Sequence, residues 1–280
     1  MKLARVGPRG SEKPAVELDG IWYDISDHIE DIDGSLLAHP AVLTRHDANE
    51  LNPIDIEGQR IGPCLKRPGK ILCIGLNYRD HALESGFDTP NEPTVFMKAP
   101  NSISGPNDPV LMPRTGNKLD WELELAVVIG SSAQYLTNER EASNAIAGYA
   151  ISNDVSERSS QLDRGGQWVK GKSFETFNPL GPWIVTPDEL DIEGGLAMNL
   201  AVNGKPMQSG NTREMIFSPA HIVWYLSQFM LLEPGDVINT GTPAGVGLGM
   251  SPPTFLKVGD VVDASVEGLG TQTWTVHEAS

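Results

Sequence analysis

The chain has 280 residues, 39% of them hydrophobic, and carries 21 Lys and Arg against 37 Asp and Glu for a net charge of −16. That length buries a sizeable core, while the negative charge repels phosphate backbones and anionic lipid with no Lys/Arg block to relieve it, so nucleic acid and membrane surfaces are excluded as expected partners. No run of about 18 apolar residues occurs and the first 14 residues form no apolar stretch, which points to a non-secreted, cytoplasmic protein.

In chain order, Val16-Glu17-Leu18 and Ile21-Trp22-Tyr23 flank Asp19-Gly20 and read as a hairpin, because Asp-Gly tolerates the positive φ angles of a tight turn. The chain then stays acidic and loop-like to Arg60, with a short helix expected near Ala38 to Thr44. Arg67-Pro68-Gly69 reads as a boundary, so residues 1–66 are expected to form a small N-terminal α+β module and 67–280 the main domain. Within the latter, Ile71–Leu76, Thr94–Lys98, Glu122–Ile129, Gly148–Ser152, Met198–Val202, Val237–Asn239, Val261–Val266 and Gln272–Val276 have strand character. A helix is expected from Thr137 to about Ile146. A clearer one has Ser218 as N-cap, Pro219 at its first position and Pro234-Gly235 as its stop. Strands and helices do not alternate, so a mixed α+β, mostly β architecture is expected rather than a doubly wound sheet. Cys64 and Cys73 lack C-x-x-C spacing and form no disulfide framework, which fits a reducing compartment.

Asp120, Glu122 and Glu124 recur at period two ahead of Ala126-Val127-Val128-Ile129 and therefore share one strand face. Glu122 and Glu124 stand about 6.6 Å apart on that spacing and repel by roughly 2.5 kcal/mol at an effective dielectric near 20. Either solvent or a divalent cation offsets this. Asp154 ends a second strand, Gly148 to Asn153, and Arg158 and Gln161 follow it at i+4 and i+7, stacking an acid, a cation and an amide on one helical face. Ligands that are all oxygen select a hard cation such as Mg²⁺ or Mn²⁺.

Asn77 to Gly86 reads as a short helix capped by Asn77 and stopped by Gly86, with His81 and Glu84 at i and i+3. A carboxylate beside an imidazole orients it as a general base for water, although an exposed ion pair has the same spacing. Gly166 to Ser173 matches the P-loop pattern, but polar residues precede it and Asn178 to Pro182 forbid a long helix after it, which argues against nucleotide binding. Lys172 is then a cation for a developing oxyanion, or an ordinary surface lysine. The glycine-rich Asn239 to Gly249 cannot be a dinucleotide loop, because Pro252-Pro253 block the receiving helix; it is read as a substrate loop with Thr242 donating a hydrogen bond. His28, His39, His46, His221 and His277 fall in no recognisable motif.

Taken together, Gly75-Leu76-Asn77-Tyr78 with His81 to Glu84, Asp120 to Glu124, Asn153-Asp154, Gly171-Lys172-Ser173 and Thr240 to Gly247 resemble the fumarylacetoacetate hydrolase superfamily from about Lys70 onward. The resemblance implies a mixed β-sandwich roll, a homodimer, a divalent metal held by Glu122, Glu124 and Asp154, and a helix bearing His81 and Glu84 that closes to activate water. It implies Lys172 as the third catalytic residue and Tyr78, Arg158, Gln161 and Thr242 as substrate contacts. Arg164 to Trp168, Gly210 to Arg213 and Pro252 to Leu256 are most similar to a bacterial branch of 2,4-diketo-3-deoxy-L-rhamnonate or -fuconate hydrolases, often labelled ureidoglycolate lyase. The implied reaction cleaves C3–C4 of a small anionic diketo acid into pyruvate and a hydroxy acid such as L-lactate. An oxaloacetate decarboxylase, a diketo-acid isomerase or a ureidoglycolate lyase on the same scaffold are the rivals. More distant are a metal-binding protein without turnover and a nucleotide-binding protein. Glu175 stands after Lys172 where Asp is expected in relatives.

Overall fold

The computed structural model describes residues 1–40, 51–84 and 88–279. Among them the fold is α+β and mostly β, built on a ten-stranded and a five-stranded sheet. The larger sheet runs Asn52–Pro53, Ile21–Asp24, Lys13–Leu18, Lys2–Val6, Ile184–Val185, Ile146–Asn153, Leu123–Ile129, Val237–Asn239, Ile71–Gly75 and Thr94–Lys98. The smaller runs Lys205–Asn211, Ala197–Val202, Val261–Val266, Gly270–Glu278 and Val110–Met112.

Strand Leu123–Ile129 lies near the middle of the large sheet and is buried on both faces, which its unbroken apolar run demands. Its parity divides the interior. Leu123, Leu125, Val127 and Ile129 join Leu200, Val262 and Trp274 of the small sheet and Ile222 and Leu226 of helix Pro219–Ser227 in one core. Ala126 and Val128 point the other way, into a second core with Leu3, Val16, Ile71 and Cys73. By the same parity Glu122 and Glu124 continue the Ala126 and Val128 face beyond the apolar stretch.

The hairpin forms as Lys13–Leu18 and Ile21–Asp24, with φ of 52° at Asp19 and 83° at Gly20. Strand Lys2–Val6, which sequence patterning missed, bonds both to this hairpin and to Ile184–Val185. Strands from either side of the 66/67 boundary thus share one sheet.

Three helices differ from expectation. Ser218 caps Pro219–Ser227 through the His221 amide at 3.1 Å, but the helix ends at Ser227, one turn and more before Pro234. Asn138 caps a shorter Glu139–Asn144. The first helix is Gly34–Ala38, capped by Asp33, and the expected Thr44 end lies outside the described residues. No helix among the described residues is long and apolar enough to cross a membrane.

Candidate active site

At the end of strand Leu123–Ile129 the side chains of Glu122, Glu124 and Asp154 converge, each buried, with one oxygen of each lying within 4.8 Å of the others. Strand pairing causes this. Leu123 is opposite Asn153 in the antiparallel ladder, and the Asp154 amide donates to Glu122 O at 2.8 Å, so two acids distant in sequence become neighbours. A solvated acidic face is thereby ruled out, since Asp120, Glu122 and Glu124 are all buried.

Three buried cations answer these charges. Lys172 Nζ donates to Glu122 Oε2 at 2.6 Å and Asp154 Oδ2 at 2.7 Å. Lys98 Nζ donates to Asp154 Oδ1 at 2.5 Å and to Val155 O at 3.1 Å. Arg158 Nη2 lies 2.7 Å from Glu122 Oε1 and 2.8 Å from Asp120 Oδ2. Glu124 has only the Gly241 amide, at 2.7 Å, and no cationic side chain among the described residues.

The proton affinities follow. Burial works against the Glu122 anion, but the charges of Lys172 and Arg158 outweigh it and hold its carboxyl below the usual range. Burial together with the Asp154 and Glu122 charges pushes Glu124 well above that range. Burial lowers Lys98 against the pull of Asp154, whereas Asp154 and Glu122 overcome burial at Lys172 and raise it. Four buried acids, Asp120 included, face three cations, and Glu124 is the acid left without one. The convergent, all-oxygen donors and the uncompensated Glu124 fit a hard divalent cation held by Glu122, Glu124 and Asp154.

Asp120 belongs elsewhere than its period-two companions. It accepts from Arg158 Nε at 2.8 Å and from the amides of Gly247 and Leu248 at 2.7 and 2.9 Å, joining the Arg158 wall to the glycine-rich loop. Arg158 Nη1 also donates to Gln161 Oε1 at 2.9 Å. Both residues sit on helix Arg158–Leu162, capped by Glu157, whereas Asp154 reaches the site from the strand end; the expected single helical face is replaced by two elements.

Helix Arg79–Glu84 supplies His81 and Glu84. His81 Nδ1 lies 3.5 Å from Glu84 Oε2, with no hydrogen bond formed between them. Burial opposes the Glu84 anion, but His81 and the Gly245 amide, at 3.1 Å, outweigh it and lower its carboxyl. Asn77 is not the cap: its side chain accepts from the Phe217 amide and donates to Phe217 O and Thr240 O, tying helix to loop. The expected stop, Gly86, lies outside the described residues.

His81, Glu84, Glu122, Glu124, Arg158, Gln161, Lys172 and Thr242 line one cavity of about 260 Å³. Tyr78 does not. It is fully buried, with its hydroxyl donating to Met198 Sδ at 3.2 Å, so its apolar ring is core rather than substrate wall. Thr242 lines the cavity, yet its hydroxyl donates to Leu123 O at 2.8 Å and accepts from Gln208 at 2.7 Å, so the expected donor is spent on holding the loop. The P-loop resemblance dissolves: Val169–Lys172 is a single turn whose Lys172 turns into the carboxylates, and Ser173 Oγ accepts from the Ala99 amide. Lys98 is the residue that sequence reasoning missed; its signal was a charge sharing parity with Phe96 on a strand buried at that end.

Comparison with known proteins places this geometry. Residues 70–277 match the model for the fumarylacetoacetate (FAA) hydrolase C-terminal family. A Burkholderia ambifaria protein named only as a hydrolase is 47% identical over 282 residues, covering 100% of both chains. The solved fumarylacetoacetate hydrolase of psychrophilic Exiguobacterium antarcticum superposes with TM-score 0.89 at 36% identity over 100% of both chains. Maleylpyruvate hydrolase from Sphingobium sp. SYK-6, solved with manganese(II) and pyruvate, superposes with TM-score 0.81 at 26% identity over 100% of both chains.

Proposed function

Because this chain belongs to the fumarylacetoacetate hydrolase family, we propose that it is a divalent-metal-dependent hydrolase cleaving the C3–C4 bond of a 2,4-diketo acid to release pyruvate. One observation carries the reading: of the buried carboxylate trio, Glu122 and Glu124 line the same cavity as Lys172 and the His81–Glu84 pair, with Asp154 directly behind them. The pyruvate and manganese of the Sphingobium neighbour support it.

Glu122, Glu124 and Asp154 would hold Mg²⁺ or Mn²⁺, which when bound supplies Lewis-acid polarisation of the keto acid and charge for the departing enolate. The side chains perform the rest. His81, held beside Glu84, takes a proton from water as its oxygen bonds to C4. Lys172 gives two short hydrogen bonds to carboxylates and only a long one, 3.5 Å, to Asp154 O, and that third N–H is the one to turn to the oxyanion at C4. Collapse breaks C3–C4, the electron pair passes to C3 as pyruvate enolate, and a proton completes pyruvate while the acyl half leaves as a carboxylic acid. The sugar-acid form of this substrate, 2,4-diketo-3-deoxy-L-rhamnonate or -fuconate, yields pyruvate and L-lactate.

The test is pyruvate release from a panel of 2,4-diketo acids and from oxaloacetate, with glyoxylate release from ureidoglycolate measured alongside. Turnover of diketo acids lost in EDTA and restored by Mg²⁺ or Mn²⁺ is the expected result. Undiminished turnover in metal-stripped enzyme, or activity confined to oxaloacetate or ureidoglycolate, overturns it.

A further inference from the structure

The cavity lining mixes two chemistries. Beside the charged and polar groups named above it has an apolar wall that includes Leu76, Phe96, Leu162, Trp168, Val246 and Leu248. Phe96 marks the junction: its ring centroid lies 5.1 Å from Lys172 Nζ on one side and 5.2 Å from the Trp168 ring, edge to face, on the other. Gly75 allows this stack, since a Cβ there would come within 3.0 Å of the indole. Leu162 follows Gln161 on the same short helix, and Leu248 itself supplies one of the two amides gripped by Asp120. The two leucines are 45% and 36% exposed, so an apolar ligand group lying on them removes apolar surface from water.

From this wall, and resting on the diketo-acid reading above, we propose that the preferred substrate is an acylpyruvate whose acyl group is an unsubstituted alkyl or aryl chain. The keto-acid half lies at the carboxylates and the acyl chain runs along Phe96, Trp168, Leu162 and Leu248. A hydroxylated chain loses water there and finds one polar atom among those four side chains, the Trp168 indole N–H. A second carboxylate finds no cation, because Arg158 and Lys172 are the only Arg or Lys among the described lining residues and both are bound to acids.

The experiment compares kcat/KM for pyruvate release from 2,4-diketo acids carrying methyl, propyl, pentyl, phenyl, 1-hydroxyethyl and carboxyvinyl groups on C4, with Mg²⁺ present. Expected is a rise of about three- to fourfold per added methylene, with the hydroxyethyl and carboxyvinyl compounds at least tenfold below the alkyl compound of similar length. Leu162→Gln, at a half-exposed position, should cut the pentyl-to-methyl ratio at least threefold, and Leu248→Asn should do the same. A flat alkyl series, or a preference for hydroxylated or carboxylated chains, overturns the proposal. Absence of pyruvate from every compound sinks the hydrolytic reading instead. The wall is then read by calorimetry with the straight-chain 2-oxo acids from pyruvate to 2-oxooctanoate: affinity climbing with length upholds the apolar subsite, and constant affinity overturns it.

Discussion

Lys98 and Asp120 act on the site through other residues, and each makes a separable prediction. Lys98 is the partner of Asp154 Oδ1 and is itself fully buried, so Lys98→Met leaves Asp154 with Lys172 alone and the buried cluster one cation short. Removing one member of a buried pair costs about 3–5 kcal/mol, and a bound cation offsets the lost charge. Thermal denaturation should therefore show Lys98→Met markedly less stable than wild type in EDTA, with a larger gain on adding Mg²⁺ than wild type shows. An equal Mg²⁺ effect on both proteins would contradict this account. Asp120→Asn keeps the volume but removes the charge facing Arg158 and weakens the acceptor of two loop amides. Pyruvate-release kinetics should show kcat/KM lower by about 10- to 100-fold, the equivalent of roughly 1.4–2.7 kcal/mol, while the metal affinity proposed for Glu122, Glu124 and Asp154 should stay within a few fold.

Among the elements, helix Pro219–Ser227 shows local sequence chemistry fixing one end and tertiary contacts the other. Its start was legible because a serine followed by proline satisfies the first-turn amides and presets φ. Its end was misread because the apolar period continues through Phe229 and Met230 although Phe229 is left exposed; Gln228 instead donates to Leu136 O and Trp224 O and closes the helix. Ser218→Ala should cost ~1 kcal/mol of stability in urea unfolding and leave kcat/KM unchanged, since the cap touches no cavity residue. The strands Thr94–Lys98, Val237–Asn239 and Val261–Val266 match their sequence-based limits because apolar or alternating runs bounded by turn residues leave little freedom. Lys2–Val6 was missed because its partners, Lys13–Leu18 and Ile184–Val185, include one almost two hundred residues away in the chain.

For the whole molecule, the ten-stranded sheet joins strands from both sides of residues 66 and 67, so unfolding is expected to be a single event. Far-ultraviolet circular dichroism and tryptophan fluorescence should report coincident urea transitions; two separated midpoints would show an independently melting N-terminal unit. Charge adds to that seam. Arg5 pairs with Asp31 at 2.6 Å, and Arg60 bridges Glu12 at 2.8 Å and Asp108 at 2.7 Å, the last tie crossing into the main segment. Burial opposes the Glu12 anion, but Arg60 and Arg5 prevail and depress its carboxyl. A depressed carboxyl stabilises the fold above its unfolded value, near 4.3, and loses that contribution as pH falls through its folded value. The urea midpoint should therefore hold steady from neutral pH to about 5 and fall below about 4, with Glu12→Gln less stable at neutral pH and less sensitive to that acid fall.

The sequence by itself determined the mostly β class, the hairpin at Asp19-Gly20 and the acids that could bind a cation. Each of these is written in short-range terms: residue periodicity, turn chemistry and the repulsion of like charges two positions apart. Only the tertiary structure decided that Asp120 grips Arg158 and the loop rather than joining Glu122 and Glu124, that Lys98 reaches Asp154, that Tyr78 is core, and that Thr242 spends its hydroxyl on the backbone. Those outcomes depend on which strand lies beside which. A buried acid takes whatever cation or amide the sheet brings within about 3 Å, and that partner has no fixed distance along the chain.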